Sequence, residues 1–241
     1  MINKQLKILT IGAHPDDIEF SMGGTVAKLV KEGHVVYCLD ITDGEPTPYG
    51  SKKIRKQESK KAAEILGVSR KTLGFPNRYL LDNVNVRKKI AEEIRILRPD
   101  IIFAHYPEDS HPDHWAASII SMAARFYGKL SKADMKGERH YTPRFFYFFS
   151  VHLRISPSPD FCIDISETFE QKIEALLAYE SQFKEIGKQI QSQPQEKNNK
   201  KIEEFVKTQN SYWGNRIGTK FAEPFYSPEI IGLKNLNNFI L

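Results

Sequence analysis

Apolar residues along this chain occur in two kinds of pattern, and the two kinds alternate. Short runs rich in β-branched and aromatic residues predict four strands, over 6–13, 34–42, 72–75 and 100–106. Apolar residues three or four positions apart predict four helices, over 21–33, 51–68, 85–99 and 114–128. Gly33, Gly67 and Pro99 stand at the ends of the first three helices, where glycine and proline commonly stop a helix. The pattern therefore predicts four consecutive βα units.

The remainder of the chain predicts further elements of both kinds. Two more strands are expected over 144–151 and 160–165, and two helices over 166–183 and 202–216. The polar, proline-broken stretch 189–201 predicts a mobile surface excursion, and a C-terminal tail follows the last helix. Buried strands alternating with amphipathic helices predict an α/β fold, a Rossmann-like open parallel sheet with helices on both faces and extra C-terminal strands and helices. A length of 241 residues suits a single domain over 1–241.

Composition excludes several classes of protein. Hydrophobic residues make up 40% and charged residues 27% of the chain, as in soluble globular proteins. No stretch approaches the ~20 apolar residues of a membrane span, and the N-terminus lacks the order of features of a signal peptide. The two cysteines, Cys38 and Cys162, lie inside predicted strands and cannot build a disulfide framework. A cytoplasmic location is the resulting expectation.

The net charge of +5 does not point to nucleic acid. Lysines concentrate over 52–61, a predicted solvated helix face, and over 197–201, a predicted polar loop. Aromatic residues are not interleaved with these basic residues, as a base-stacking surface would require. A mild attraction for an anionic small molecule is the more plausible consequence.

Two His/Asp motifs carry the main chemical signal. The first strand runs into His14-Pro15-Asp16-Asp17, and the fourth is followed by His111-Pro112-Asp113-His114. In the commonest doubly wound order, 3-2-1-4, strands one and four are neighbours, and ligands bind at their carboxyl ends. We therefore expect the two motifs to face each other across one site.

These residue types match a catalytic metal centre. Two imidazoles and one carboxylate suit a catalytic zinc ion, which keeps one position open for water. The Asp16-Asp17 pair can supply one ligand and one general base, and a remaining histidine can protonate an amine or stabilise an oxyanion. Either motif alone is typical of a turn or helix cap, but their expected juxtaposition favours a metallohydrolase acting on an amide.

Other functions for this fold class fit less well. A dinucleotide-binding module needs G-x-G-x-x-G after the first strand, and aspartates there would repel a pyrophosphate. A receiver-type phosphotransfer switch has paired aspartates after its first strand but no need for the second motif. A non-catalytic metal- or sugar-binding protein stays open as an alternative.

Both motifs resemble those of a known family. Ala13 to Asp17, followed by Gly23-Gly24-Thr25, resembles the first motif of the PIG-L/LmbE-like deacetylases, and 111–114 resembles the second. Further stretches fit over 42–45, 55–67, 179–183 and 212–225, so the resemblance covers nearly the whole chain. Within the family, the chain is most similar to the bacterial branch with the N-acetylglucosaminyl-malate deacetylases of bacillithiol synthesis.

The resemblance implies a hydrolase that depends on one Zn²⁺ per chain, or on Fe²⁺ in the cell. Its substrate would be the acetamide of an N-acetylglucosamine conjugate, and the protein would be a homo-oligomer, a trimer or a hexamer. Roles then follow by position: His14, Asp17 and His114 as metal ligands, Asp16 as general base, His111 as second acid/base or oxyanion donor, and Asp113 as the residue that orients a histidine.

The small-molecule amino-sugar substrate is less closely specified. Glu45 is a candidate for sugar hydroxyl recognition or a turn-stabilising acid, and Arg55 is a candidate contact for an anionic aglycone or a solvated helix charge. Ser110 stands where the bacillithiol branch tends to have arginine, which weakens the assignment to the malate conjugate. A chito-oligosaccharide or an antibiotic precursor is the alternative substrate.

Overall fold

The computed structural model describes residues 4–150, 158–182 and 195–232. The strands are β1 (Lys7–Gly12), β2 (Val35–Thr42), β3 (Ser69–Phe75), β4 (Ile101–His105), β5 (Arg144–Phe148), β6 (Phe161–Asp164) and β7 (Ala222–Tyr226). The helices are α1 (Asp17–Lys31), α2 (Lys52–Leu66), α3 (Val84–Leu97), α4 (Pro112–Gly128), α5 (Phe169–Leu177) and α6 (Gln195–Ile217).

All seven strands form one sheet, in the order β3-β2-β1-β4-β5-β7-β6. The first five in this order are parallel, and β7 runs antiparallel to both of its neighbours. In the β1–β4 pair, Ile8 lies opposite Ile101 and Ile11 opposite Ala104. The predicted Rossmann-like sheet, with strands one and four as neighbours, is confirmed.

Helices cover both faces of this sheet, because its strands alternate apolar side chains to either side. Ile8 of β1 belongs to a core that also holds apolar residues of α1, α2, α5 and α6. Leu9 and Ile11 of the same strand belong to the opposite core, with residues of α3 and α4. The two layers hold the strand ends in fixed positions, and the loops at those ends carry the predicted motifs.

Helix α1 begins directly after Asp16, four residues earlier than its apolar pattern predicts, and it is bent at Met22, which has φ −145° and ψ 23°. The bend frees backbone N–H groups inside the helix. Glu223 of β7 accepts hydrogen bonds from the amides of Gly24 and Thr25, at 3.1 and 2.7 Å. Its carboxylate therefore caps the second half of α1.

Close packing explains the glycine pair in α1. A Cβ atom on Gly24 would lie 2.7 Å from a side-chain carbon of Ile165. Lys172 of α5 reaches the same region and places Nζ 2.6 Å from the carboxylate of Glu223, and both side chains are at most 1% exposed. Strand β7 and helices α1 and α5 are thus joined by a buried ion pair.

The C-terminal third differs most from the sequence predictions. The predicted tail contains β7, which is inserted between β5 and β6. The helix predicted over 166–183 is interrupted: α5 is Phe169–Leu177, and residues 180–182 are helical again. Residues 195–201, predicted as part of the surface excursion, form the start of α6, because their Gln, Glu and Lys residues are adequate helix formers. Residues 189–194 lie outside the described residues.

Within the ranges that the structure describes, no helix is both long enough and apolar enough to cross a membrane.

We predict that the buried Glu223–Lys172 pair is essential to stability. Glu223→Ala would leave an unpaired buried ammonium group and two uncapped amides, so the free energy of unfolding should fall by about 3–5 kcal/mol. Urea denaturation measures this change. The control is Glu167→Ala, which removes an exposed ion-pair partner of Lys31 at the end of α1 and should leave the free energy of unfolding nearly unchanged. Equal losses in the two variants would contradict the prediction.

Candidate active site and metal centre

The two His/Asp motifs meet at the carboxyl ends of β1 and β4. His14 follows β1, and His111 and His114 lie at the start of α4, after β4. The ring centre of His14 is 4.8 Å from that of His111 and 5.2 Å from that of His114. The sheet order therefore brings together residues that are far apart in the sequence.

Asp17 is the centre of the cluster. Its Oδ2 accepts the backbone N–H of His14 at 2.7 Å and lies 3.0 Å from Nε2 of His105. Its Oδ1 lies 3.1 Å from Nε2 of His114. Burial alone would raise the pKa of Asp17, but the charges of His114, His105 and His14 outweigh burial and hold the pKa well below its usual range. Asp17 is therefore a carboxylate.

Three groups of side chains in the described residues bring possible metal ligand atoms within 4.8 Å of one another: His14, Asp17 and His114; His14, His111 and Asp113; and His105, Asp109 and His114. The first group is the predicted ligand set. All three of its members are at least nine-tenths buried.

The electrostatics of the cluster favour a cation. Burial alone would lower the pKa of His14, but Asp17 and a hydrogen bond to Asp113 outweigh it and raise the pKa to about 10. The pKa of His114 rises to about 9 in the same way, because Asp17 and Asp109 outweigh burial. His14 and His114 thus hold positive charge, and a bound divalent cation could take the place of their protons.

Acidic partners orient both of these imidazoles. Asp113 places Oδ2 3.1 Å from Nε2 of His14, and it accepts the backbone N–H groups of Arg78 and Leu80, at 2.7 and 3.2 Å. This arrangement leaves Nδ1 of His14 facing Asp17, at 3.3 Å. Such partners fix ring orientation in metal sites.

The second imidazole is oriented from the other side. Asp109 Oδ2 and Ser150 Oγ lie 3.1 and 3.0 Å from Nδ1 of His114, so Nε2 faces Asp17. Nδ1 of His14 and Nε2 of His114 consequently point to the same carboxylate, that of Asp17.

Asp16 is held in an unusual conformation beside this cluster. Its φ is 109°, in the left-handed region that non-glycine residues rarely adopt. Its side chain is 16% exposed, and Oδ2 accepts a hydrogen bond from Nη2 of Arg55 at 3.0 Å. Burial raises the pKa of Asp16 to about 7, and Asp17 adds to the rise while Arg55 opposes it.

His111 caps α4 and is half-buried. Its Nδ1 accepts the backbone N–H of Asp113 at 3.1 Å, so the neutral ring carries its proton on Nε2. Burial, together with the charges of His114 and His14, lowers the pKa of His111 to about 4. His111 is therefore a neutral donor at physiological pH.

His105 and Asp109 belong to the site although the sequence interpretation gave them no role. His105 is fully buried at the end of β4, and its ring stacks on that of His114 with centres 4.2 Å apart. The sequence did offer one signal for His105. It lies at the end of a strand that is next to the strand carrying the first motif. Asp109 could be identified only from the loop geometry.

The two predicted substrate contacts have partners within the protein. The carboxylate of Glu45 accepts the N–H and the hydroxyl of Thr47, both at 2.8 Å, which matches the turn-stabilising alternative. Arg55 is 3% exposed and donates to Pro15 and Asp16, so it is not a solvated helix charge.

Several known proteins resemble this chain in sequence. Residues 9–125 match the family model described as PIG-L, GlcNAc-PI de-N-acetylase. A diacetylchitobiose deacetylase of Thermococcus kodakarensis is 31% identical over 236 residues, covering 92% of this chain and 82% of that protein. A probable N-acetyl-α-D-glucosaminyl L-malate deacetylase of Bacillus cereus is 29% identical over 191 residues, covering 73% of this chain and 83% of that protein.

A solved structure extends the likeness to the backbone. A conserved protein from Thermus thermophilus superposes with a TM-score of 0.83 at 37% identity, covering 95% of this chain and 98% of the other. Sequence and fold match over nearly the whole length, and the resemblance inferred from the two motifs is confirmed. The chain therefore belongs to the PIG-L, or LmbE-like, family of de-N-acetylases.

Proposed function

We propose that this protein is a metal-dependent N-deacetylase that hydrolyses the acetamide of an N-acetylglucosamine-containing conjugate to a free amine and acetate. The observation that carries the proposal is the buried group of His14, Asp17 and His114, with ligand atoms within 4.8 Å of one another. Asp16 and His111 lie beside this group and are left for acid–base work.

The donor set fits a divalent metal ion. Two imidazoles and one carboxylate suit a catalytic Zn²⁺, and the same combination also suits Fe²⁺. We propose His14, Asp17 and His114 as the ligands, with Asp113 and Asp109 orienting the two imidazoles from behind. A bound ion would lower the pKa of a coordinated water to about 7 and polarise the acetyl carbonyl.

The protein's own groups then move the protons. Asp16, with a pKa raised to about 7 by burial, accepts a proton from the attacking water and returns it to the departing amine. His111 keeps its proton on Nε2, because Nδ1 accepts the N–H of Asp113, and donates a hydrogen bond to the tetrahedral oxyanion. Together with the proposed ligands and the orienting residues, these two roles account for every polar side chain of the two motifs.

The sugar conjugate is proposed only as a class. The relatives of this protein include a diacetylchitobiose deacetylase and a probable N-acetylglucosaminyl malate deacetylase. Ser110 lacks the positive charge that would hold a malate carboxylate, so a chito-oligosaccharide is as good a candidate as the malate conjugate. Recognition of sugar hydroxyls by Glu45 stays a prediction.

Two further expectations accompany the proposal. A trimer or hexamer stays a prediction from the family resemblance. A cytoplasmic location is supported by Cys38 and Cys162, which are both free thiols.

We predict that Asp16→Asn keeps its metal and loses activity. The substituted amide cannot accept the water's proton, so kcat should fall by ~10²–10⁴-fold while one ion per chain remains. Steady-state amine release and metal analysis by mass spectrometry measure the two quantities. Asp82→Asn, which changes an exposed partner of Arg87, is the control and should retain full activity. Full activity in Asp16→Asn would refute the assigned role.

We predict that metal binding at neutral pH releases protons. His14 and His114, with pKa raised to about 10 and about 9, carry protons below those values in the metal-free protein. A metal ion needs neutral rings, so apparent Zn²⁺ affinity should rise from pH 6 to pH 8. Calorimetry at pH 7 in buffers of different ionisation enthalpy should show release of about two protons per ion.

His114→Ala tests the same ligand set. This variant should bind Zn²⁺ more weakly and release fewer protons. The control is His34→Ala, which should match the unmodified protein, because His34 directly precedes β2 at the opposite end of the sheet. An affinity that stays constant between pH 6 and pH 8, or an unchanged His114→Ala variant, would exclude these residues as the ligands.

A further inference from the structure

We propose that Arg55 is a positioning residue: it holds the general base Asp16 in its working conformation by binding both the peptide before Asp16 and the Asp16 carboxylate. This inference rests on the proposed function for the role of Asp16, but the geometry behind it does not. It differs from the substrate contact that the sequence predicted for Arg55.

Asp16 needs an external restraint. Its φ of 109° lies in the left-handed region, and its side chain makes no capping hydrogen bond to helix α1, which begins at the next residue. An L-residue keeps such a conformation only where its surroundings enforce it. Helix α1 itself supplies no such restraint on the carboxylate.

One nitrogen of Arg55 supplies two restraints at once. Nη2 donates to the carbonyl oxygen of Pro15 and, at 3.0 Å, to Oδ2 of Asp16. The first bond fixes the peptide plane about which φ of Asp16 is defined, and the second fixes the direction of the side chain. Together they determine where the proton-accepting oxygen lies relative to His14 and Asp17.

Arg55 is itself held in place. Its guanidinium carbon lies 5.5 Å from the ring centre of Tyr179, which is fully buried. Gly44 closes the other side, because a Cβ atom there would lie 3.1 Å from Nε of Arg55. The residue belongs to the first turn of α2, which Ser51 caps by accepting the N–H of Ile54. The guanidinium is therefore a rigid support.

The hydrogen bonds that Arg55 makes both act on this one corner of the site. Nε and Nη1 have no hydrogen-bond partner among the described residues, and both atoms are shielded from solvent. Nη2 alone makes the side-chain hydrogen bonds of Arg55 given above, to Pro15 and Asp16. These contacts support an action of Arg55 on Asp16.

Kinetics of Arg55→Met and Arg55→Lys separate the two roles. A misplaced base should lower kcat by about 10²-fold in Arg55→Met, whereas KM should stay within about twofold because no substrate contact is lost. Arg55→Lys should recover only part of kcat, since the ammonium sits on a flexible stem and is not held in place as the planar guanidinium is. Lys56→Met, an exposed neighbour on α2, is the control and should behave as the unmodified protein.

Two further measurements exclude a merely structural effect. In an Asp16→Asn background, Arg55→Met should cause no additional loss of kcat, because both changes disable the same base. Added guanidinium ion should restore part of kcat in Arg55→Ala. A cavity of about 590 Å³ between α2 and β3 is lined in part by Arg55 and gives this ion access.

A crystal structure of metal-loaded Arg55→Met decides the matter without activity. We expect full metal content, with the Asp16 carboxylate displaced or φ of Asp16 outside the left-handed region. An unmoved Asp16, or a raised KM with unchanged kcat, would overturn the positioning role. If the unmodified protein turned over no N-acetyl sugar, the proposed function would fail, and this crystal structure would still test whether Arg55 holds Asp16.

Discussion

Parallel pairing of β1 with β4 places Ile11 opposite Ala104, so the two strands end side by side. The loops that leave these ends carry the two His/Asp motifs, and their separation in the sequence has no bearing on their distance in space. Helices α1 and α4 both begin at this edge, which turns their N-terminal residues towards each other. Every proposed ligand and proton-transfer group depends on this one pairing.

Concentrating so many ionisable groups at a buried edge requires compensation. Asp17 alone contacts three histidines, and Asp113 and Asp109 each contact one more ring atom from behind. Carboxylates and imidazoles of this density are costly to bury unless positive charge is present, as protons or as a cation. The strained backbone at Asp16 adds a further cost, which the hydrogen bonds of Arg55 to Pro15 and Asp16 offset.

The sequence predicted those parts of the molecule that depend on local pattern and on general rules of topology. Strands one to four, the helices between them and the meeting of the two motifs follow from periodicity and the doubly wound order. Strand β7 could not be recognised in this way, because its role depends on pairing with two distant strands and on a buried partner, Lys172. Its short sequence, with a proline in the middle, carries little strand signal.

Within the site, too, local sequence pattern predicts some residues, whereas the roles of others depend on tertiary contacts. The motif residues could be named from their types and positions, whereas the role of Arg55 depends on a contact between α2 and the loop after β1 that no spacing reveals. Periodicity identifies a charged residue on a helix but not the partner it faces. His105 was missed for a similar reason. Its place at the end of the strand next to the first motif was a signal, but that signal does not distinguish a site residue from a satisfied core residue until its neighbours are known.

Release of primary amine from a panel of N-acetylglucosamine conjugates is the most direct test of the central claim. The panel should include the malate glycoside and diacetylchitobiose, and the protein should be stripped of metal and reloaded with Zn²⁺ or Fe²⁺. Turnover should appear on reloading and disappear with a chelator, and the preferred conjugate would identify the aglycone. Protein that holds one metal ion per chain and releases no amine from any conjugate would contradict the assignment as an amino-sugar deacetylase.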